Sequence, residues 1–85
     1  IINGKDMNWQ RSDNYFKVEV EFKNQTELMN FTYKIAVESD RMNHHADMEI
    51  CYNKLKLAVQ THDVNSITEK DHLLITAINE IYNNL

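Results

Sequence analysis

Three histidines and two aspartates are spaced so that they could meet in one proton-transfer site. His44 and His45 are adjacent, Asp40 lies one helical turn before them, and His62 and Asp71 follow later in the chain. A histidine of ordinary pKa, near ~6.5, can give or take a proton at neutral pH, and a neighbouring carboxylate fixes its tautomer. Because no serine or cysteine nucleophile accompanies the set, these residues indicate general acid–base catalysis rather than covalent catalysis.

Each of these residues also has a simpler structural explanation. The His pair could lie in an ordinary polar loop, His62 could be an exposed strand terminus, and the helix dipole alone would explain Asp71. His72 follows Asp71 without a partner pattern, and we interpret it as a surface residue. Cys51 falls within a strand pattern, where we expect it to be buried as a small hydrophobe. Residue types alone therefore leave a catalytic site and an ordinary surface both open.

A zinc site is a further alternative for the same residues. Three histidines and a carboxylate suit zinc by ligand type. Adjacent histidines chelate one ion awkwardly, however, and the sequence contains no HExxH or CxxC spacing. We therefore predict no metal site.

The composition excludes some classes of protein. The 85 residues are enough for one domain, predicted over 1–85, and the hydrophobic fraction of 42% is ordinary for a globular protein. A net charge of −4 argues against direct nucleic-acid binding, which needs clustered lysine and arginine. No apolar run approaches the roughly 20 residues that span a bilayer, and no signal peptide is visible. We therefore expect neither nucleic acid nor a membrane as a partner.

The small core and the single cysteine give two further expectations. A chain this short buries its apolar surface only marginally, so we expect self-association. One cysteine cannot form an internal disulfide, so we expect a cytoplasmic protein, with the nucleus as an alternative location. Because the chain begins with Ile1, an N-terminal piece could precede it.

The first third of the chain predicts two strands. A short strand is expected around Trp9, preceded by the end of an earlier element and a turn. Asp13-Asn14 is a plausible hairpin turn. Apolar residues then alternate with charged ones over residues 15–22, which predicts a half-buried strand with one wet face.

The period then changes to that of a helix and back again. Asn24 is a suitable N-cap for a helix predicted over 25–42, which ends just before the His pair. Alternation returns over residues 49–62, with a bulge or hairpin at Asn53-Lys54. Four residues of that segment should share the buried face: Leu55, Leu57, Val59 and Thr61.

The last segment predicts a second helix, which completes an α+β fold. Ser66 or Thr68 would cap this helix. His62 has the parity opposite to the buried strand residues, so it should point away from the helices or lie at the strand end. The order of elements implies an antiparallel β-sheet of about four strands with helices packed on one face. The apolar stripe of the helix is Leu74, Ala77, Ile78, Ile81 and Leu85.

From Trp9 to about residue 83 the chain resembles the pterin-4a-carbinolamine dehydratase family. The family signature is matched, in order and with the same intervals, by Asp40, His44-His45-Ala46, Tyr52, His62 and Asp71. The chain departs from the family pattern at three points. Ala46 replaces a common proline, Ser66 replaces a common glycine whose left-handed backbone would be strained in serine, and the first helix is largely missing.

The resemblance implies a lyase that dehydrates 4a-hydroxytetrahydrobiopterin to quinonoid dihydropterin and so recycles tetrahydrobiopterin. It assigns His44 and His62 as acids and bases around C4a, and His45 as a residue that binds and orients the pterin. Asp40 and Asp71 would orient the imidazoles. No metal or organic cofactor is required.

The resemblance also implies substrate contacts and partners. Backbone groups near Asn43 and from Thr61 to Asp63 would hold the pteridine edge. The protein would form a homodimer or homotetramer. The alternative function is a non-catalytic dimerisation or assembly module, since family members also serve as dimerisation partners of a homeodomain transcription factor and related domains act as assembly factors.

Overall fold

The fold is an antiparallel sheet with two helices, seen in a computed structural model that describes residues 7–85. The earlier element and turn predicted before Trp9 fall largely on residues 1–6, which lie outside the described residues. The elements in chain order are β1 (Gln10–Arg11), β2 (Phe16–Glu21), α1 (Gln25–Met42), β3 (Asp47–Cys51), β4 (Lys54–Val59) and α2 (Glu69–Asn83).

The four strands form one sheet in the order β1-β2-β4-β3, and every pair is antiparallel. Leu57 of the internal strand β4 lies opposite Val18 on β2 and opposite Met48 on β3. The described chain therefore confirms the predicted α+β fold with a four-stranded antiparallel sheet. The two edges of this sheet are β1 and β3.

One face of the sheet packs against both helices. The alternation of β2 and β4 sends apolar side chains to this face and charged side chains to the other, open face. As predicted, Leu55, Leu57, Val59 and Thr61 share the buried face. The core joins residues from both layers: Val18, Val20, Leu28, Phe31, Ile35, Leu55, Leu57, Val59, Leu74 and Ile78.

Helix α1 has the predicted bounds because both of its ends are specified locally. The Asn24 side chain accepts a hydrogen bond of 2.9 Å from the backbone N–H of Glu27, which satisfies a free donor of the first turn. The helix ends at Asn43, whose backbone is left-handed with φ 55° and ψ 41°. Asparagine tolerates this conformation better than most residues, so it is a suitable helix terminator.

The segment predicted as a strand over 49–62 is a hairpin, which was one of the two alternatives. β3 begins at Asp47, two residues earlier than predicted, and β4 ends at Val59, three residues earlier. Tyr52 occupies the turn with φ 56°. Burial of Cys51 was a wrong prediction, because this residue is exposed on the edge strand β3, which the helices do not cover.

Helix α2 is capped by Thr68, and its apolar stripe is mostly as predicted. Leu74 and Ile78 are fully buried, whereas Ala77 and Ile81 are partly buried. Leu85 lies beyond the helix end at Asn83 and is 51% exposed, so its assignment to the stripe was wrong. Periodicity extended the stripe past the point where the helix stops.

Candidate active site

His44 is the most enclosed of the four histidines, and the end of α1 determines its direction. The His44 N–H donates to the Ser39 carbonyl at 3.0 Å, and the Asn43 N–H donates to the Asp40 carbonyl at 3.2 Å. These two bonds are those of a Schellman motif. The side chain that emerges from this turn is 11% exposed, and its Nε2 lies 2.7 Å from Oδ1 of Asp71.

Asp71 is a fully buried carboxylate with several donors. Burial alone would raise the pKa of Asp71, but hydrogen bonds from His44, the Thr68 backbone and the Thr61 hydroxyl outweigh it and hold the pKa below its usual value. Since each carboxylate oxygen has a partner, Asp71 is an ionised orienting group. The explanation by the helix dipole alone does not account for this burial.

Two threonines support Asp71 from the strand end and from the helix start. Asp71 Oδ2 accepts from the Thr61 hydroxyl at 2.9 Å and from the Thr68 N–H at 2.7 Å. The hydroxyl oxygens of Thr61 and Thr68 are 2.6 Å apart. Because Thr61 gives its only hydroxyl proton to Asp71, Thr68 donates to Thr61. This network joins the end of β4 to the start of α2 and fixes the carboxylate that holds His44.

His45 has its own carboxylate on the solvent side. Its Nε2 lies 2.8 Å from Oδ1 of Asp40, and the side chains are 56% and 78% exposed. Asp40 is in the last turn of α1, so the helix end brings the carboxylate back to the residue that follows it. The adjacent imidazoles thus diverge: one is directed to buried Asp71 and the other to exposed Asp40.

His62 lies past the end of β4, in the turn over residues 62–65. Its Nε2 is 3.3 Å from Oδ2 of Asp47, the first residue of β3, and its Nδ1 is 3.2 Å from Nε2 of Gln60. The position beyond the strand end is one of the two that alternation allowed. Asp47 lies opposite Ala58, whose neighbours Leu57 and Val59 face the core, so the contact is on the open side of the sheet.

The three His–carboxylate pairs therefore involve segments that adjoin the end of β4, because β3 begins beside that end. The His44–Asp71 pair is hydrogen bonded to Thr61, which directly precedes His62. His45 lies on the loop that leads from α1 to Asp47, the partner of His62. In each pair it is Nε2 that faces the carboxylate. This arrangement leaves Nδ1 as the second nitrogen of each ring.

A groove begins beside this site on the open face of the sheet. Its volume is about 670 Å³, within the usual size range for pockets that take a small organic molecule. Asp47, the partner of His62, and Ala58 are among its lining residues, as are Lys17 and Lys56. A polar heterocycle at the histidines would therefore adjoin a mixed-charge surface.

The three residues predicted to contact the substrate differ in their exposure to solvent. Asn43 and Asp63 are exposed on the two loops of the site, where they are accessible to a ligand. Thr61 is 8% exposed, and both its backbone N–H and its carbonyl bond to Ser66. Substrate binding by these three residues remains a prediction, whereas the hydroxyl of Thr61 has a clear supporting role toward Asp71.

The two substitutions in the family pattern, Ala46 and Ser66, lie in the loops that flank the hairpin. Ala46 directly precedes β3, outside regular secondary structure, and packs against the core. The left-handed residue of the turn after β4 is Asn65, with φ 51°, and Ser66 is not among the residues of positive φ in the described chain. The strain predicted for Ser66 is therefore avoided, because asparagine takes the demanding position.

The remaining histidine and the possible ligands outside the site add no second centre. His72 is exposed, as predicted, and its ring packs edge-on against Phe16 at 5.5 Å. Among residues 7–85, no three His, Cys, Asp or Glu side chains are grouped so that they could hold a metal ion. Neither α1 nor α2 is long and apolar enough to cross a membrane.

Sequence reasoning missed Asp47, Gln60 and Thr68 as parts of the site. Thr68 was recognised only as a helix cap, although Asp71 three residues later is a capping-box position that indicates the Thr68–Asp71 bond. Asp47 was overlooked because its contact with His62 depends on the hairpin register. A signal was present, since Asp47 lies only two residues after the His pair.

The fold and the site define a small α+β protein with carboxylate-oriented imidazoles suited to proton transfer. The sequence model of the family described as pterin 4 alpha carbinolamine dehydratase matches residues 2–81. The chain belongs to this family.

Curated relatives agree with this membership. A protein of Sulfolobus acidocaldarius is 37% identical over 78 residues, covering 92% of this chain and 86% of the relative. A protein of Prochlorococcus marinus strain NATL2A is 35% identical over 79 residues, covering 93% and 83%. Both carry the name "Putative pterin-4-alpha-carbinolamine dehydratase".

Two solved structures share the fold. A crystal structure from Brucella melitensis, described as a transcriptional coactivator/pterin dehydratase, has a TM-score of 0.81 at 24% identity and covers 86% of this chain and 80% of its own. A pterin dehydratase-like protein identified as a RuBisCO assembly factor in the alpha-carboxysome has a TM-score of 0.71 at 9% identity, covering 94% and 93%. At these identities the likeness establishes the architecture.

Proposed function

We propose that the protein is a 4a-hydroxytetrahydropterin dehydratase that uses histidine general acid–base catalysis and recycles tetrahydrobiopterin. The observation that carries the proposal is the set of three imidazoles, each beside a carboxylate, on segments that adjoin the end of β4. Family membership supplies the reaction class. The geometry supports it because His45 and His62 are exposed and Asp47, the partner of His62, lines a groove of suitable size.

The reaction requires two proton movements. The bond between C4a and the hydroxyl oxygen breaks as that oxygen is protonated and leaves as water. The N5–H bond breaks as a base accepts its proton, and the freed electron pair forms the C4a=N5 double bond. One imidazolium and one neutral imidazole on the two sides of the C4a–N5 bond would supply these steps.

Different environments suggest different roles for the histidines. His44 and His62 would act as the acid and base around C4a. His44 is anchored by the buried Asp71, whereas His62 is exposed beside Asp47, where a ligand can reach it. His45, paired with Asp40 at the rim, would bind and orient the pteridine, with Asn43 and Asp63 at its edge.

Stopped-flow absorbance on chemically generated 4a-hydroxytetrahydropterin tests the proposal. The protein should accelerate dehydration, and His44→Ala and His62→Ala should each lower kcat by about 100-fold or more, the usual contribution of a general acid or base. His72→Ala is the matched control, because it removes an exposed imidazole that packs against Phe16 and belongs to none of the three His–carboxylate pairs, so activity should be retained. Wild-type protein that yields only the uncatalysed rate would reject the proposal.

A non-catalytic assembly role is the second candidate. It is favoured by an exposed apolar stripe on α1, where Met29, Tyr33 and Val37 recur every four residues and are 49%, 69% and 49% exposed. A fold relative is a RuBisCO assembly factor. A single stoichiometric protein partner in a pull-down, bound equally by the wild type and by His44→Ala, would support this reading. Loss of binding in Tyr33→Lys would assign it to α1.

A further inference from the structure

We infer that Asp47 is a positioning residue for His62 and completes a third His–carboxylate pair of the site. The inference rests on the proposed function for its kinetic consequence, but its geometric basis is independent of that function. Asp47 Oδ2 lies 3.3 Å from His62 Nε2. In catalytic sites without substrate such contacts are often long and shorten in the complex.

The backbone fixes both partners of this contact. Asp47 is the first residue of β3, and the ladder places it opposite Ala58 of β4. His62 follows β4 by three residues, in a turn closed by paired bonds between Thr61 and Ser66. The carboxylate and the imidazole therefore approach each other from two adjacent antiparallel strands. The contact is a product of sheet register rather than of two free surface side chains.

The carboxylate of Asp47 selects one tautomer of His62. An ionised carboxylate only accepts hydrogen bonds, so Asp47 favours the ring with its proton on Nε2. Gln60, 3.2 Å from Nδ1, has an amide that offers either a donor or an acceptor and so does not choose between tautomers. With the proton held on Nε2, Nδ1 is the nitrogen that exchanges a proton with the substrate once the Gln60 amide is displaced.

A role in stability does not explain the pair equally well. The side chains of His62 and Asp47 are 59% and 63% exposed. Ion pairs this exposed contribute little to folding, because water and salt screen them. Removing the carboxylate should therefore leave the melting temperature nearly unchanged, whereas a positioning role predicts a loss in kcat.

The kinetic experiment compares Asp47→Asn and Asp47→Glu with Glu21→Gln. Glu21 is the control, because it is an exposed acid on β2 of the same sheet and is not among the residues that line the groove. Asp47→Asn should lower kcat by about 10-fold, with KM changed less than about 2-fold, because the asparagine amide can hydrogen bond to either tautomer of His62. Asp47→Glu should recover part of the loss, and Glu21→Gln should match the wild type. Equal kcat values for Asp47→Asn and Glu21→Gln would overturn the inference.

Long-range ¹H–¹⁵N correlation spectra of the His62 ring test the geometry without any turnover. At a pH where the ring is neutral, the wild type and Glu21→Gln should show mainly the Nε2–H tautomer, and Asp47→Asn should show a mixture. Identical tautomer populations in all three proteins would overturn the inference. An inactive wild type in which Asp47→Asn alone shifts the tautomer would reject the proposed function and retain the role of Asp47.

Discussion

At the scale of single residues, the three imidazoles of the site differ in the carboxylate that each one contacts. Asp71 is enclosed and fully hydrogen bonded, whereas Asp40 and Asp47 remain in contact with water. His44 is therefore held in an enclosed pair, whereas His45 and His62 are in solvent-exposed pairs.

Asp71→Asn should lower the stability of the fold at neutral pH, and the difference from the wild type should disappear in acid. The asparagine amide replaces one accepting oxygen with an N–H₂ group, which cannot accept the hydrogen bonds that His44, Thr61 and the Thr68 N–H donate to Asp71. We therefore expect the free energy of unfolding at pH 7 to fall by about 1–3 kcal/mol. The pKa of Asp71 is lower in the folded state than in the unfolded chain. Its contribution is therefore complete above the unfolded value near ~3.9 and disappears as the pH falls through the folded value.

Urea unfolding of both proteins from pH 7 down to pH 3 measures this difference. Asp63→Asn is the control, since Asp63 is exposed and its side chain has no hydrogen bond within residues 7–85. A wild-type advantage that stays constant with falling pH would contradict the assignment of Asp71 as an ionised, hydrogen-bonded group.

At the scale of elements, helix ends position the chemistry. The Schellman end of α1 directs His44 toward α2, and the capped start of α2 presents Asp71 to it. The β3–β4 hairpin brings Asp47 to His62. The bounds of α1 were predictable, because the Asn24 cap and helical spacing act within a few residues. The start of β3 was not, because its residues are all exposed and lack alternation in burial.

Asn43→Ala and Asn43→Gly should differ in stability, because the backbone of residue 43 is left-handed at the end of α1. Residue 43 has φ 55°, where alanine is penalised by its Cβ and glycine is not. We expect Asn43→Ala to lose about 1 kcal/mol of unfolding free energy and Asn43→Gly to stay within about 0.5 kcal/mol of the wild type. Chemical denaturation measures both variants.

Asn30→Ala provides the comparison, because Asn30 is exposed within α1 and alanine favours a helix interior. Equal stability of the alanine and glycine variants at position 43 would show that the left-handed turn does not limit stability.

At the scale of the whole molecule, apolar side chains remain outside the core on two surfaces. Met48 and Ile50 on the edge strand β3 are 37% and 40% exposed, and the stripe on α1 is exposed to a similar or greater degree. An unpaired strand edge and an apolar helix face both invite association. Homo-oligomer formation therefore remains our prediction.

Size-exclusion chromatography with light scattering should give a multiple of the 10.1 kDa chain mass. Ile50→Lys would lower the mass if copies join through β3, and Tyr33→Lys would do so if they join through α1. Glu21→Lys controls for the added lysine, because Glu21 is exposed on β2, an internal strand of the sheet. A 10.1 kDa species for the wild type would contradict the prediction.

The sequence by itself determined the order of elements, apart from the choice between one strand and a hairpin over 49–62, together with the buried face of β4 and both ends of α1. It also singled out the three histidines with Asp40 and Asp71 as candidates for a site. These features depend on periodicity, caps and residue chemistry, all of which act over short stretches of chain. Only the tertiary structure decided that Asp71 is buried beneath Thr61 and Thr68, that Asp47 faces His62 and that Cys51 is exposed. Those outcomes depend on strand register and on which strands the helices cover, and neither quantity is encoded within a single element.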